Sequence, residues 1–355
     1  MLYNTANPHG GDIYGDKVIL DYSANTNPLG TPEGVRRAVC EAAERLDRYP
    51  DPYCRELTAA LAGHEGVPRD YLICGNGAAE VIYAYCEAVG GKGAELAPTF
   101  SEYTLGFLKG ESDDDGRKMV RYTLKKEKGF APDHRLLDFI KAEQPAVLFL
   151  CHPNNPTGIP MEEGLLRETI ALCGELGTRV FLDECFLDLS NRGWDAKEIL
   201  AENPHLFILK AFTKSYGMAG VRLGYGMTAD TALLKSMSEA VQPWNASTPA
   251  QAAGVAALKE TEFLTKTCEI IETERQWLFE KLESLGFYHT DSAANYILFE
   301  GPENLAEELK KQGIAIRKCE NYHGLGSGWY RIAVRLHEEN EKLMEAMRQI
   351  VCERK

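Results

Sequence analysis

Residues 210–225 read KAFTKSYGMAGVRLGY, and Lys214 within them is the starting point for interpreting the chain. Lys214 follows the apolar run 206–209, whose Leu, Phe and Ile residues are typical of a strand. Arg222 comes eight residues after that lysine, and the glycines around it mark turns. The pattern predicts a strand that ends in a loop with two cations and little bulk. Such a loop suits an anionic ligand with a carbonyl group, because a lysine amine attacks carbonyls and an arginine guanidinium donates paired hydrogen bonds to a phosphate.

Taken alone, Lys214 has an ordinary alternative, since most lysines lie on the surface with the amine in water. The stretch 210–225, however, resembles the lysine segment of the fold-type I pyridoxal-phosphate (PLP) enzymes in the class I/II aminotransferase family. That resemblance implies that Lys214 forms a Schiff base with the cofactor and that Arg222 and Thr213 bind its phosphate. Many relatives also have Ser or Thr three residues before the lysine, where this chain has Ala211. One phosphate contact is therefore expected to be missing or replaced.

The composition limits the classes of partner. The chain has 355 residues, an apolar content of 44% and a net charge of −14. The length predicts one large domain and a smaller one, and the acidic balance disfavours nucleic acid, whose phosphates need a basic surface. No apolar run approaches a membrane span and no signal-peptide pattern opens the sequence, so we expect no membrane association and a cytoplasmic location. The ten scattered cysteines lack zinc-site spacing and predict neither a metal site nor disulfides.

Short β-rich runs alternate with helical stretches along most of the chain. This spacing predicts an α/β fold with a doubly wound, mainly parallel sheet, and the resemblance identifies it as the fold-type I PLP transferase fold. Ligands bind such sheets beyond the carboxyl ends of the strands. The expected strands are 71–74, 147–150, 180–182, 206–209 and 223–227, and the expected helices are 33–46, 248–285 and 338–353. The expected parts are an N-terminal arm (1–30) joining the small domain, a large PLP-binding domain (31–245) and a small C-terminal α+β domain (246–355).

Residues 75–80, Gly-Asn-Gly-Ala-Ala-Glu, follow a predicted strand and open a helix. Small residues at a helix N-terminus leave amide groups free to bind a phosphate, aided by the helix dipole. Taken alone, an ordinary strand-to-helix turn is the better interpretation. The family resemblance implies that the backbones of Gly77, Ala78 and Ala79 bind the cofactor phosphate.

Two loops are expected to hold the cofactor ring. Residues 98–103, PTFSEY, match the family's P-x-aromatic-x-x-Tyr segment, which implies that Phe100, or else Tyr103, stacks on the pyridine. Without the resemblance either aromatic could equally belong to the core. Residues 152–158, HPNNPTG, would ordinarily indicate only a rigid turn. The resemblance implies that the Asn155 amide donates to the phenolic oxygen of the cofactor.

Asp183 stands at the carboxyl end of the predicted strand 180–182. A lone aspartate there would usually cap a helix. The resemblance implies instead that it pairs with the pyridine nitrogen and keeps the ring an electron sink. Many aminotransferases have tyrosine where this chain has Phe186, so a donor to the phenolic oxygen is missing. That absence counts slightly against ordinary transamination.

Three residues carry expectations about substrate and partner. Within residues 330–335, YRIAVR, the resemblance implies that Arg331 binds the substrate α-carboxylate. A basic strand residue is usually just exposed, but Arg335 is expected on the same strand face and so predicts a second anion on the substrate. Tyr49, within Arg-Tyr-Pro, matches a tyrosine that reaches the cofactor phosphate of the neighbouring subunit. The active unit is therefore expected to be a homodimer.

The resemblance is strongest for the branch that contains histidinol-phosphate aminotransferases and threonine-phosphate decarboxylases. The motifs His-Gly-Gly at 9–11, SANTNPLG at 23–30 and Asp-Glu-x-Phe at 183–186 favour decarboxylation of L-threonine O-3-phosphate to aminopropanol phosphate, a building block of cobalamin. A histidinol-phosphate or related aminotransferase remains the alternative, and a non-catalytic regulator with this fold is an alternative of another class. The residues expected to bind this small phosphorylated substrate are His9, Asn27, Asn155, Arg331 and Arg335.

Overall fold

A computed structural model describes residues 9–14, 17–108 and 116–352. The helices are α1 (Glu33–Ala42), α2 (Arg55–Glu65), α3 (Gly77–Ala88), α4 (Glu102–Phe107), α5 (Arg135–Glu143), α6 (Glu163–Leu176), α7 (Phe212–Ser215), α8 (Thr231–Ala240), α9 (Thr248–Ala257), α10 (Thr261–Ser284), α11 (Leu305–Lys311) and α12 (His337–Cys352). The strands are β1 (Leu20–Asp21), β2 (Leu72–Gly75), β3 (Lys92–Ala97), β4 (Lys118–Thr123), β5 (Val147–Cys151), β6 (Arg179–Asp183), β7 (Leu206–Ala211), β8 (Gly224–Met227), β9 (Tyr296–Glu300), β10 (Ile314–Ala315), β11 (Arg317–Lys318) and β12 (Trp329–Ala333).

A seven-stranded sheet in the order β2-β8-β7-β6-β5-β3-β4 forms the centre of the molecule. Only β8 runs against its neighbours. Along β5, Val147 and Phe149 belong to one core cluster while Leu148 and Leu150 belong to another, so successive side chains fill the two faces. Burial on both faces is what a parallel sheet covered by helices requires. The predicted α/β fold with a mainly parallel sheet is confirmed.

Strands β3 and β4 were not predicted from the sequence. The β3 sequence KGAELA has no β-branched residue, and its strand conformation comes from pairing with β4 and β5. Within it, Glu95 lies opposite Arg121 of β4, and Arg121 Nε donates to Glu95 Oε1 at 2.7 Å. Burial raises the pKa of Glu95, and the arginine opposes that shift.

A smaller antiparallel sheet, β11-β12-β9, packs with α10, α11 and α12 around a separate core cluster. The N-terminal arm joins this unit, because β1 pairs with β10 and Tyr22 O accepts from Ala333 N at 2.9 Å. The boundaries at residues 30 and 245 stay a prediction. Among the described residues, no helix is long and apolar enough to cross a membrane.

The predicted helix 248–285 is wrong as a single element, because the structure divides it into α9 and α10. The N–H groups of Lys259 and Glu260 bond to Ala256 and Ala257, three residues back, and this tighter turn ends α9. Neither Gly nor Pro marks the break, so periodicity alone did not reveal it.

Candidate active site

A cavity of about 230 Å³ opens beyond the carboxyl ends of β5, β6 and β7 and is closed on the other side by the smaller sheet. Many of the predicted site residues line it, although they are scattered along the sequence. Those predicted residues are His9, Ala78, Ala79, Phe100, Asn155, Asp183, Thr213, Lys214, Arg222 and Arg331. Residues in the wall that the sequence analysis had not assigned to the site include Cys151, Cys185, Arg317 and Tyr322.

Lys214 lies in the single turn α7, directly after β7, and its side chain reaches into the cavity. Its surroundings lower the pKa of the amine from 10.5 to about 8, first through burial and then through the positive charges of Arg331 and Arg222. The Lys214 Nζ atom lies 5.9 Å from the centre of the Phe186 ring. A much larger fraction of the amine is therefore uncharged near neutral pH than in an ordinary lysine, and the uncharged amine can act as a nucleophile.

Asp183 ends β6, where burial raises the pKa of its carboxyl group. Hydrogen bonds oppose that shift: Oδ2 accepts from the Tyr103 hydroxyl at 2.6 Å and Oδ1 accepts from the Cys185 amide at 2.9 Å. The assignment of Tyr103 to the cofactor face is corrected here, because its ring is fully buried, stacks on Phe149 and does not line the cavity. Phe100 is the aromatic of that loop that does.

The N-terminus of α3 and Arg222 together form an anion cradle. Gly77 has φ +78°, and a Cβ built on it would lie 2.3 Å from Arg222 Nη2, so only glycine lets the guanidinium come this close. A Cβ on Gly224 of β8 would lie 2.6 Å from the Ala78 amide nitrogen. The close approach brings backbone N–H groups, a guanidinium and the Thr213 hydroxyl to one end of the cavity. That donor set suits a phosphate.

Asn155 and Arg331 form the other end of the cavity. Asn155 Oδ1 accepts from Arg331 Nη1 and, at 3.5 Å, from the Tyr322 hydroxyl. Arg331 Nη2 donates to Ser23 O at 2.9 Å. Within the described part of the chain, Arg331 Nε is buried without a hydrogen-bond partner. A buried guanidinium with an unused donor in the cavity wall suits an anionic ligand group.

Arg317 is the functional candidate that sequence reasoning missed. It lies directly opposite Arg331 in the β11–β12 pair, so both side chains leave the same face of the sheet, and both line the cavity. Its guanidinium lies 5.4 Å from the centre of the Tyr322 ring. A two-residue strand has no readable periodicity, and only its pairing with β12 reveals which way Arg317 faces.

Two predicted substrate residues do not line the cavity. Strand β12 ends at Ala333, so the alternation expected to carry Arg335 onto the face of Arg331 stops before it. The Arg335 guanidinium instead donates to Asp21 O at 3.2 Å and to Glu339 Oε1 at 2.9 Å. Asn27 is buried, and its amide donates to Ser215 O at 2.7 Å, so it supports the turn that carries the lysine.

Tyr49 lies outside this cavity. It is 78% exposed, stacks on Trp244 with ring centres 4.6 Å apart and borders a wider groove between α1 and α9. Its predicted contact with a neighbouring subunit's cofactor stays a prediction.

The donor set fits pyridoxal phosphate. The cradle at Gly77 and Arg222 would hold the phosphate, Lys214 would bind the aldehyde carbon, and the carboxylate of Asp183 would meet the pyridine nitrogen. Among the described residues, no cluster of His, Cys, Asp or Glu side chains could hold a metal ion.

Comparisons with known proteins find one family and several similar enzymes. The family model described as aminotransferase class I and II matches residues 17–347. The threonine-phosphate decarboxylase of Salmonella typhimurium is 32% identical over 99% of this chain and 98% of its own length. The histidinol-phosphate aminotransferase of Methanosarcina mazei is 32% identical over 92% of this chain and 87% of its own. The crystal structure of the histidinol-phosphate aminotransferase from Clostridium acetobutylicum has a TM-score of 0.86 at 26% identity, covering 94% of this chain and 100% of that one.

Proposed function

Because the chain belongs to the class I and II aminotransferase family and is a pyridoxal-phosphate-dependent enzyme, we propose that it decarboxylates L-threonine O-3-phosphate to aminopropanol phosphate. The non-catalytic alternative is set aside, because the similar proteins are enzymes. The family comparisons support two reactions equally, since a decarboxylase and an aminotransferase are both 32% identical to this chain. The choice between them rests on the site.

The observation that carries the proposal is the pair of arginines in the cavity wall. Arg317 and Arg331 lie opposite each other on neighbouring strands and both line the cavity. Guanidinium groups recognise carboxylate and phosphate through forked hydrogen bonds. L-Threonine O-3-phosphate carries one of each anion, whereas histidinol phosphate carries only the phosphate. Two cations beside the reacting centre therefore support a substrate with two anions.

The cofactor, when bound, supplies the electron sink that accepts the bonding electrons from the substrate Cα. Asp183 supports that role, because an ionised carboxylate facing the pyridine nitrogen keeps it protonated. Tyr103 and the Cys185 amide hold the carboxylate in place. Hydrogen-bond donors of this kind favour the charged form of a carboxyl group against the cost of burial.

The arginines decide which bond breaks. With the cofactor bound, the orientation in which the protein holds the substrate carboxylate would select the bond that breaks at Cα. Arg331 is fixed by Asn155 and by Ser23 O, and it can hold a carboxylate in one orientation. If Arg331 holds the carboxylate in the orientation for cleavage, the bond from Cα to the carboxyl carbon would break and carbon dioxide would leave; if the Cα hydrogen takes that orientation, the hydrogen would be removed instead.

Lys214 completes the reaction by returning a proton to Cα. Its lowered pKa of about 8 allows both protonation states near neutral pH, as a group that accepts and donates protons needs. The apolar ring of Phe186 lies beside this amine, where many aminotransferases have a tyrosine hydroxyl.

An aminotransferase is the second candidate, because 2-oxoglutarate also carries two anions that Arg317 and Arg331 could bind. The similarity to the Methanosarcina mazei enzyme favours it as strongly as the other comparison favours decarboxylation. The predicted role in cobalamin assembly depends on the decarboxylase reaction. A cytoplasmic location is proposed with it, since all ten cysteines are free thiols, as is usual in reducing compartments.

Steady-state assays with both substrates test the proposal. The holoenzyme is given L-threonine O-3-phosphate alone, or histidinol phosphate with 2-oxoglutarate, at equal concentrations. We expect carbon dioxide release from the first to exceed amino transfer from the second by at least about a hundredfold in kcat/KM. Transfer that matches or exceeds decarboxylation would make the enzyme an aminotransferase.

A further inference from the structure

We propose that Glu102 is a positioning residue that holds the His9 imidazole at the edge of the cavity, where the imidazole helps to bind the phosphate of the substrate. The inference rests on the proposed function in one respect, namely that the substrate is phosphorylated. It adds a specificity-determining carboxylate that lies behind the cavity wall and does not touch the ligand.

Both oxygens of the Glu102 carboxylate accept hydrogen bonds. Oε1 accepts from His9 Nε2 at 2.7 Å, and Oε2 accepts from the Tyr83 hydroxyl at 2.9 Å. The Glu102 side chain is only 12% exposed, whereas that of His9 is 34% exposed. The contact therefore joins the N-terminal arm to the first turn of α4, with Tyr83 of α3 fixing the carboxylate from the far side.

The arm that carries His9 is fixed against the substrate end of the cavity. Gly10 packs so closely on Ser23 that an added Cβ would lie 2.2 Å from its carbonyl oxygen. The Gly11 amide donates to Ser23 Oγ at 2.8 Å. Because Ser23 O also accepts from Arg331, the arm and the carboxylate-binding arginine share one anchor. His9 is thus placed by contacts on both sides of the cavity opening.

The charges around His9 explain what Glu102 contributes. Arg317 from β11 and Arg331 from β12 line the same cavity as His9, and so do Lys214 and Arg222. Glu102 from α4 is the carboxylate in contact with the imidazole, and Tyr83 from α3 contributes a neutral hydroxyl. The hydrogen bond from His9 lowers the pKa of Glu102, so the carboxylate is ionised and is a strong acceptor for the imidazole N–H. The phosphate of the substrate would then meet the His9 imidazole and the Arg317 guanidinium, while Arg331 holds the carboxylate.

Binding of two matched ligands to the holoenzyme tests the inference. O-Phosphoethanolamine and ethanolamine share an amine and differ by the phosphate, and neither has a carboxylate to lose. Their dissociation constants can be followed through the visible absorbance of the bound cofactor. We expect Glu102→Gln to weaken O-phosphoethanolamine binding about tenfold, the usual effect of losing a charge-assisted contact, and to leave ethanolamine binding unchanged.

Matched variants keep the test falsifiable. Glu102→Asp retains the charge and should restore part of the loss, and Tyr83→Phe removes a neutral donor and should have a smaller effect than Glu102→Gln. Glu202→Gln removes an exposed carboxylate elsewhere and should match wild type. With L-threonine O-3-phosphate, Glu102→Gln should raise KM and leave kcat within about twofold, since the residue acts on binding.

The outcomes separate this inference from the proposed function. A wild-type enzyme that binds both ligands equally would contradict a phosphorylated substrate and overturn the proposed function with the inference. A wild-type preference for the phosphate that survives intact in Glu102→Gln would overturn the inference alone. Equal weakening of both ligands would give Glu102 a general structural role and would also overturn the inference.

Discussion

Lys214 lies in a cavity wall that also contains Arg222 and Arg331, and this arrangement sets the chemistry of its amine. The neighbouring cations and burial both oppose protonation, which lowers the pKa to about 8. An amine captures an aldehyde only in its uncharged form. The rate at which Lys214 reacts with an aldehyde should therefore depend on pH.

Capture of pyridoxal phosphate by the apoenzyme should rise with pH through a midpoint of about 8, rather than through the ordinary lysine value of 10.5. The sign follows from the amine being charged, and unreactive, below its pKa. The initial rate of the absorbance change on adding cofactor measures it. Arg331→Gln should move the midpoint upward, because it removes a positive charge that lowers the pKa. A midpoint that stays above about 10 in wild type would contradict the account.

Tyr103 is predicted to act through Asp183 and not through the cofactor face. Tyr103→Phe removes the hydroxyl that donates to Asp183 Oδ2, and kcat should fall about tenfold, as expected when a carboxylate loses a strong hydrogen bond. Tyr85→Phe is the matched control, because the Tyr85 hydroxyl is buried in the same aromatic cluster without a hydrogen-bond partner in the described chain. Equal effects of the two substitutions would assign Tyr103 to packing alone.

Some site residues can be predicted from sequence motifs, whereas the position of others depends on where a strand ends or on which strand it pairs with. Lys214, Asp183 and Asn155 stand where a strand ends, so their motifs and the strand pattern together place them at one sheet edge. Arg335 was misplaced because the strand ends earlier than the alternation suggested. Arg317 was missed because its direction depends on a strand partner distant in the sequence.

At the scale of elements, the N-terminus of α3 packs so tightly against Arg222 that only glycine fits at residue 77. Two features require glycine at residue 77, its positive φ and the close approach of the Arg222 guanidinium. The first should affect stability and the second should affect cofactor binding. Gly66, the C-cap of α2, has a similar φ of +72° but open space around it. The two glycines therefore form a matched pair.

Gly77→Ala and Gly66→Ala should each destabilise the apoenzyme by about 1 kcal/mol, because both force alanine into a left-handed conformation. Only Gly77→Ala should also weaken cofactor binding, since its methyl group displaces Arg222 from the cradle. Thermal unfolding of the apoenzyme and the cofactor dissociation constant measure the two effects. If Gly66→Ala raises the cofactor dissociation constant as much as Gly77→Ala does, the cradle formed by the N-terminus of α3 and Arg222 does not bind the cofactor phosphate.

The sequence pattern predicted some strands of the sheet and missed others. The buried strands β5, β6 and β7 were predicted because their apolar runs are unbroken. Strand β3 was missed because Lys, Gly, Ala and Glu have weak strand preference, and the buried Glu95 is stabilised there by its pair with Arg121. The sequence of β3 alone does not show that Glu95 will pair with Arg121 of another strand.

At the scale of the whole molecule, the exposed pair Tyr49 and Trp244 lies outside the cavity. If the active unit is a homodimer, as we propose, a neighbouring chain supplies Tyr49 to each site. A hybrid of two defective chains then contains one complete site, because the lysine and the tyrosine of that site come from different chains.

Mixing Lys214→Ala with Tyr49→Ala chains after mild dissociation should therefore restore activity to roughly a quarter of wild type, the share of complete sites when chains pair at random. Activity after mixing is compared with that of each variant alone. A mixture that shows only the average of the two parents would place Tyr49 outside the neighbouring site.

The most direct test of the proposed function is a single turnover of the holoenzyme with L-threonine O-3-phosphate labelled in its carboxyl carbon, without any oxo acid. Arg331 is expected to hold the carboxylate in the orientation for cleavage, and Arg317 is expected to bind the phosphate. The label should then leave as carbon dioxide, one molecule per active site, together with the phosphorylated amine. Retention of the label in a phosphorylated oxo acid, with transfer of the amino group to the cofactor, would contradict the proposal and make the enzyme an aminotransferase.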